Sequence, residues 1–510
     1  MQNDSNVTKE NVALENFLGT KNEIVDTTIN VTDSNIAKIL SVSACFFIDN
    51  AETLVGEVDY NGTLSLNIIF EDNENLVQNL QTKTNVSAKY ENTGFVVGGA
   101  TKIVPNIISY EIEKMGNELA KIKANIELKF FNASNQEIDV YAGGDENIFV
   151  MQNEIPLLNY VAKNCVTLSQ PVVLDSKDEI EKVLSISTGA LVKKASTLDN
   201  ILIVEGETYA RALVKTKEDR PIFVALSKFD NFREEIEDGN VKKDFLVNAT
   251  AKVVCEDVKH EVLENNTGLE ITLPIKICYQ LFDNKNVTVV TDAYSTQNEI
   301  ALTTIGFNST TMLGNESFDF RIDGNITLDD ELPRIDKILA VDGTYLTLTN
   351  VAYQNKELLI EGIVHANVIY LNDDENTLNS VMIEIPFSQT ERTNLDDKDV
   401  DIQLATILYD VDATAKRGRE IFLDGKIKLH ANFTKQVANA IISNITRGDE
   451  IEANTSAIEI YFANAGQTLW DIAKDLKVDK EVLLMQNQDL PEIMTGGEKI
   501  IFYNQQTLEV

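Results

Sequence analysis

At 510 residues the chain is too long for a single hydrophobic core, so several domains are expected. Acidic residues outnumber basic ones by 81 to 44, and the formal net charge of −37 repels phosphate backbones and anionic lipids. The composition therefore argues against nucleic-acid and membrane-surface binding. It favours a basic partner surface, and the hydrophobic share of 43% indicates a globular protein.

The N-terminal stretch, residues 1–20, is polar and acidic. It predicts a tail that is disordered or forms a short helix through Val12, Leu14 and Leu18. No basic segment followed by an apolar run is visible there, and no apolar run in the chain approaches the about 20 residues of a membrane span. We therefore expect a cytoplasmic protein with no membrane insertion.

Three long segments of the chain share a pattern. Each begins with an Ile-x-Lys-[Ile/Val]-Leu run, at residues 36–40, 180–184 and 335–339. Each ends in alternating apolar residues, at 122–130, 269–279 and 423–433, which predict half-buried antiparallel strands. The spacing of roughly 150 residues exceeds the 20–50 residues of solenoid repeats, so we interpret the segments as tandem domains.

The predicted fold is mainly β. It has three antiparallel β-rich domains at residues 21–165, 166–308 and 309–447, and a small βααβ module at 456–505. Linkers are predicted at 141–145, 308–325 and 448–456. Pro274 lacks an N–H for the sheet ladder and predicts that its strand lies at a sheet edge.

Four cysteines, Cys45, Cys165, Cys255 and Cys278, lie far apart in the sequence. None forms a Cys-x-x-Cys pair, so the spacing indicates neither a zinc site nor a disulfide framework. We expect each to behave as a small buried hydrophobic residue.

The C-terminal module has internally consistent signals for its elements. Thr468 and Asp471 form a Thr-x-x-Asp capping box that opens a helix. An apolar stripe then follows the helical period, consisting of Leu469, Ile472, Ala473 and Leu476. The flanking strands are predicted at residues 458–462 and 499–503.

This module resembles the LysM module. Most LysM modules carry Gly-Asp-Thr-Leu in the first loop and bind N-acetylated glycans with it, whereas residues 466–469 read Gly-Gln-Thr-Leu here. With three β-rich units before it, the chain resembles the SPOCS-LysM spore coat morphogenetic proteins of endospore-forming clostridia, so that each β domain is expected to be SPOCS-like. The resemblance rests chiefly on the order of the domains.

The resemblance implies a non-enzymatic scaffold made in the mother-cell cytoplasm and recruited to the forespore surface during sporulation. The implied partner is the self-polymerising coat ATPase SpoIVA, bound chiefly through the LysM-like module, with other coat proteins as further partners. No cofactor or metal is implied.

Trp470, the only tryptophan, is the first candidate for partner binding. An exposed Trp beside the Gly466 turn would be a natural interface hot spot, but Trp470 can equally be a partly buried flank of the core. The expected rim consists of Gln467, Thr468, Asp471 and Lys474. Ile458 is a second candidate if its side of the strand faces outward.

Two other functions remain as alternatives. An enzyme would need a positioned nucleophile, paired carboxylates or a metal site, and the sequence has only His260, His365 and His430, in no metalloenzyme spacing. His430 is predicted on a solvent face. A peptidoglycan- or N-acetylglucosamine-binding wall protein would use the β domains as spacers. The absence of a recognisable export signal and the replacement of the loop carboxylate by Gln467 count against it, but residual glycan binding stays open.

Overall fold

The computed structural model describes residues 6–30, 36–115, 119–143, 147–217, 223–264, 266–373, 377–452 and 456–503. The fold is mainly β, with several antiparallel sheets and two short helices near the C-terminus. None of the helices in these ranges is long and apolar enough to cross a membrane.

The strands before the C-terminal module form three units, which we number in chain order. Unit 1 contains β1 (Val7–Asn30), β2 (Ile36–Leu54), β3 (Glu57–Asp72), β4 (Val77–Glu91), β5 (Ala100–Lys114) and β6 (Leu119–Tyr141). Unit 2 contains β7 (Ile148–Asp175), β8 (Ile180–Leu198), β9 (Ile201–Thr216), β10 (Phe223–Glu237), β11 (Leu246–Val253), β12 (Lys259–Val262) and β13 (Gly268–Ser295). Unit 3 contains β14 (Asn298–Thr327), β15 (Ile335–Gln354), β16 (Glu357–Asn372), β17 (Leu378–Arg392), β18 (Val400–Lys416) and β19 (Glu420–Glu450).

Each unit pairs two antiparallel sheets around a core. In unit 1 the strand orders are β1-β6-β5 and β2-β3-β4, and unit 3 repeats them as β14-β19-β18 and β15-β16-β17. Unit 2 has β8-β9-β10 and a second sheet in which β13 pairs with β7 on one side and with β11 and β12 on the other. The alternating runs predicted from the sequence lie in β6, β13 and β19, and their apolar side chains fill the three cores.

Several local expectations are wrong. Residues 7–20 begin strand β1 rather than a tail, and the predicted linker at 308–325 lies within β14. Both segments are polar because one face of each strand lies outside the core. The two other predicted linkers include residues outside the described ranges. Strands β7 and β14 also run across the proposed domain boundaries at 165/166 and 308/309.

Pro274 lies in the central strand β13, not at a sheet edge. On the side of β13 opposite β7, strand β11 pairs with β13 only as far as Ile275. The next partner strand, β12, begins to pair at Thr272. The proline thus occupies the gap between two successive partner strands, where its missing N–H leaves no ladder bond unmade. Its carbonyl still accepts a hydrogen bond from the Val254 N–H at 2.8 Å.

The three units share two apolar clusters as well as having their own cores. One cluster joins the β2-β3-β4, β8-β9-β10 and β15-β16-β17 sheets, with Ile69, Leu213 and Ile369 as corresponding members. The other joins the long strand pairs β1/β6, β7/β13 and β14/β19. Each unit contributes to both clusters, so the units are arranged around a common axis with approximate threefold symmetry.

The four cysteines form two disulfides, which corrects the expectation of separate buried thiols. Cys45 of β2 pairs with Cys255, in a short 3-10 turn after β11, and so joins units 1 and 2. Cys165 of β7 pairs with Cys278, its directly opposed residue on β13. The partners lie 210 and 113 residues apart, so the local spacing that suggests disulfides in small domains could not reveal them.

Candidate partner-binding module

The C-terminal module consists of β20 (Ile458–Phe462), α1 (Leu469–Leu476), α2 (Lys480–Gln486) and β21 (Lys499–Tyr503). The predicted capping box is present: the Thr468 N–H donates to the Asp471 carboxylate at 2.8 Å, and the Asp471 N–H donates to the Thr468 hydroxyl at 3.3 Å. Gly466 makes the preceding turn with φ of +90°, a conformation that favours glycine. The predicted apolar stripe faces the module core, where Ile472 and Ala473 are fully buried.

Trp470 is buried against unit 2 rather than exposed. Of the two interpretations from the sequence, an exposed interface residue or a buried flank of the core, the second describes its position. Its side chain is 8% exposed and packs edge-on against Tyr294, with ring centroids 5.0 Å apart. The indole Nε1–H donates to the Asp292 carboxylate at 2.8 Å, and Lys474 Nζ donates to the other oxygen at 2.6 Å. The Tyr294 hydroxyl donates to the carbonyl of Val478 at 2.8 Å.

These contacts affect the ionisation of Asp292. Burial raises its pKa, but the hydrogen bonds from Lys474 and Trp470 outweigh burial, so the pKa lies below its ordinary value of 3.8. The module is therefore held to the end of β13 by a charged, fully hydrogen-bonded carboxylate. Sequence reasoning missed Asp292 and Tyr294, since no pattern links them to a helix 178 residues away.

The outer face of the β20–β21 sheet is apolar and exposed. Ile458 is 54% exposed and Phe462 63% exposed, and Ile460 lies between them on the same side of β20. Tyr503, which lies opposite Ile458 on β21, extends this surface. Ile458 therefore faces outward. The sequence made it a binding candidate on this condition.

The loop residue Gln467 is engaged within the module. Its Oε1 accepts from the backbone N–H of Asn464 at 2.8 Å. Its Nε2 donates to the Tyr461 hydroxyl at 2.9 Å and to the Asp475 carboxylate at 3.2 Å. Both ends of the amide are thus occupied within the module.

The structure divides the seven predicted site residues into three sets. Ile458 and Gly466 lie on the exposed surface, and Trp470 and Lys474 contact unit 2. The remaining three, Gln467, Thr468 and Asp471, stabilise the loop and the start of α1 and stay partly accessible. The predicted residues thus do not form one continuous face.

Comparison with known proteins identifies one part of unit 3. The family described as "SipL, SPOCS domain" matches residues 334–416, which contain β15, β16, β17 and β18. No curated protein and no solved structure matches the chain. The chain therefore contains a SPOCS domain, and this domain suggests a spore coat morphogenetic protein.

Proposed function

We propose that this protein is a non-enzymatic scaffold of the spore coat, similar to SipL. The observation that carries the proposal is the SPOCS domain at residues 334–416. We place the protein in the mother-cell cytoplasm, from which it is recruited to the forespore surface during sporulation. Its coat partner is an ATPase of the SpoIVA type, and further coat proteins bind the assembled complex.

The layout of units 1 and 2 supports a scaffold with three SPOCS-like units. The matched strands β15 to β18 begin with an Ile-x-Lys-Ile-Leu run, and β2 and β8 begin the corresponding parts of units 1 and 2 with related runs. The strand orders β2-β3-β4 and β8-β9-β10 repeat β15-β16-β17. A rigid body of repeated sheets suits a protein that positions other proteins.

Two histidines have packing roles, which supports a non-enzymatic function. His365 is buried and stacks on Tyr345, with ring centroids 4.2 Å apart. His430 is also buried, with Nδ1 2.9 Å from the Ser317 hydroxyl, which corrects the predicted solvent-facing position. His430 lies on the face of β19 that points away from the core, and period-two alternation alone does not show whether that face is covered by other parts of the protein.

The LysM-like module is the proposed contact with the coat ATPase. Its binding surface would centre on Ile458 and the exposed apolar side of β20, with Gly466, Gln467, Thr468 and Asp471 at the loop. Trp470 and Lys474 act indirectly in this proposal, because they fix the module on Asp292. A basic surface on the ATPase would complement the acidic chain.

The test compares two substitutions of exposed apolar residues in the full-length protein. Ile458→Arg should weaken binding of purified coat ATPase by about thirtyfold, the effect of losing about 2 kcal/mol at an interface anchor. Met485→Arg, at an exposed site on α2, is the matched control and should bind like the wild type. Melting temperatures of both variants should equal that of the wild type.

Equal binding by Ile458→Arg and the wild type would contradict the proposed surface. The wall-binding alternative is separated by sedimentation with purified peptidoglycan. Retention on peptidoglycan, together with no binding to the coat ATPase, would replace the scaffold proposal by a wall-binding function.

A further inference from the structure

A group of lysines lies where the second sheet of unit 2 meets unit 1. On the face of this sheet that points away from the core, one row across the strands consists of Thr167, Lys276 and Lys252, and another of Lys163, Gln280 and Asn248. The row between them contains the Cys165–Cys278 disulfide. Three lysines from three different strands thus share one small surface.

Unit 1 borders this surface with backbone carbonyls and a fourth lysine, while Lys252 and Thr167 stay exposed to solvent. Lys276 Nζ donates to the Asp49 carbonyl at 3.0 Å, and Lys163 Nζ donates to the Thr101 carbonyl. Lys102, next to Thr101, donates to the Gln403 side chain at 2.5 Å. Their acceptors are neutral, so the positive charge of the group is not cancelled by direct ion pairs.

Lys252 is the least satisfied member of the group. It lies directly opposite Lys276 in the β11–β13 ladder, and like charges at opposed positions destabilise a sheet. Within the described part of the chain its ammonium group has no hydrogen-bond or ion-pair partner. Lys252 is exposed to solvent, so its ammonium group is accessible to a small anion from solution.

The corresponding lysine of unit 3 shows how such a position is otherwise neutralised. Lys428, in the same Ile-Lys-apolar context as Lys276, lies where unit 3 meets unit 2. Its Nζ is 2.8 Å from the Glu207 carboxylate and 3.8 Å from the Asp319 carboxylate. The chain supplies carboxylates at that interface and neutral carbonyls at the interface of units 1 and 2.

Two buried amides on the same face also lack partners. The side chains of Gln280 and Asn248 are each 5% exposed. Gln280 Nε2 and Asn248 Oδ1 form no hydrogen bond with described protein atoms. Buried amide atoms usually have a partner, and the Gln280 Nε2 donor, adjacent to Lys163, is consistent with an acceptor ligand at the surface.

The ionisation of the lysines agrees with this geometry. Burial, together with the charges of Lys102 and Lys276, lowers the pKa of Lys163 to about 8. Burial also lowers the pKa of Lys102. Glu15, which accepts from Gln403 at 3.1 Å, partly offsets this for Lys102.

We propose that this surface binds a small multivalent oxyanion of the phosphate class, for which inorganic pyrophosphate is the simplest representative. Lys252, Lys276 and Lys163 contribute ammonium groups, Lys102 adds charge from unit 1, and the Gln280 amide donates a further hydrogen bond. A small anion fits, whereas the net charge of the protein repels a long polyanion. Bound at this interface, the anion would stabilise the contact between units 1 and 2.

The test measures the melting temperature and calorimetric affinity of the full-length protein with inorganic pyrophosphate. Sodium chloride of equal ionic strength is the control for general salt effects. We expect pyrophosphate to raise the melting temperature beyond the chloride control. Lys252→Gln should lower pyrophosphate affinity by about tenfold or more, and Lys252→Arg should retain binding because it keeps the charge.

Lys428→Gln is the matched control, because it removes a lysine that already has carboxylate partners, and its pyrophosphate affinity should equal that of the wild type. In chloride alone, Lys252→Gln should melt no lower than the wild type, since it removes repulsion from Lys276. The inference is overturned if pyrophosphate stabilises no more than chloride does, or if Lys252→Gln binds it as tightly as the wild type. These outcomes are independent of coat ATPase binding.

Discussion

Asp292 is the residue that most directly determines where the C-terminal module sits. A carboxylate at the end of β13 accepts hydrogen bonds from both Trp470 and Lys474 of α1. Charge-assisted hydrogen bonds are stronger than neutral ones, and the partial burial of Asp292 and Lys474 protects this pair from full screening by solvent. The position of the module thus depends on the ionised state of one side chain.

We expect docking of the module to weaken in acid. The folded pKa of Asp292 is lowered, so the stabilisation is present above its ordinary value of 3.8 and is lost as the pH falls through the folded value. Trp470 is the only tryptophan, and its fluorescence emission should shift to longer wavelength over this range. Asp292→Asn has no carboxylate there and should lack this step. An unchanged wild-type emission until the sheets themselves unfold would contradict the expectation.

At the residue level the sequence was informative where the signals were local. The capping box of Thr468 and Asp471 and the buried position of Ile472 follow from neighbouring residues, and the structure confirms them. The burial of Trp470 depends on Asp292, a residue from another unit, so neither of its two interpretations could be preferred. Ile458 raised the same difficulty, since alternation defines two faces but does not say which is covered.

At the level of elements, the alternating strands were predicted well because the apolar positions indicate the face toward the core and the polar positions indicate the opposite face. Ile275 and Ile277 face the core of unit 2, and Lys276 faces unit 1. The pattern could not show that the polar side is itself covered in places. Nor could it show that the neighbouring strand is interrupted at Pro274, which made a central strand look like an edge.

A one-residue insertion tests the register of β13. Inserting one residue after Leu273 should turn Ile275 and Ile277 toward unit 1 and bring Lys276 into the apolar core, because successive side chains face opposite sides. We expect aggregation in size-exclusion chromatography and no cooperative melting transition. The same insertion after Val97, an exposed residue in the loop between β4 and β5, should be tolerated. A soluble, cooperatively melting β13 variant would refute the register.

At the level of the whole molecule, the units depend on one another. Asp342 of unit 3 is fully buried and accepts hydrogen bonds from Ser41 of unit 1, at 2.7 Å, and from Ser185 of unit 2. Arg211 of unit 2 lies 4.0 Å from the same carboxylate. The sequence predicted independent cores in tandem, since contacts such as Ser41–Asp342 and Ser185–Asp342, 301 and 157 positions apart, leave no local signal.

Substitution of Asp342 should therefore destabilise all three units together. Asp342→Ala leaves the Arg211 charge buried without its counter-charge, and we expect a loss of about 3–5 kcal/mol in the free energy of unfolding. Chemical denaturation measures this loss, and Asp336→Ala, at an exposed site on β15, should change little. Stability of Asp342→Ala within about 1 kcal/mol of the wild type would show that the buried carboxylate is dispensable.

The single C-terminal module breaks the approximate threefold symmetry of the body. Three similar units would by themselves offer three equivalent attachment points, and a particle of that kind crosslinks whatever it binds. Here the module sits at the end of the β7/β13 pair, on Asp292 and Tyr294, and Lys477 pairs with Glu299 of the neighbouring β14. Each copy thus has a valency of one toward a module-binding partner. If the module binds the coat ATPase as proposed, the protein would decorate a polymerised layer with one chain per occupied subunit.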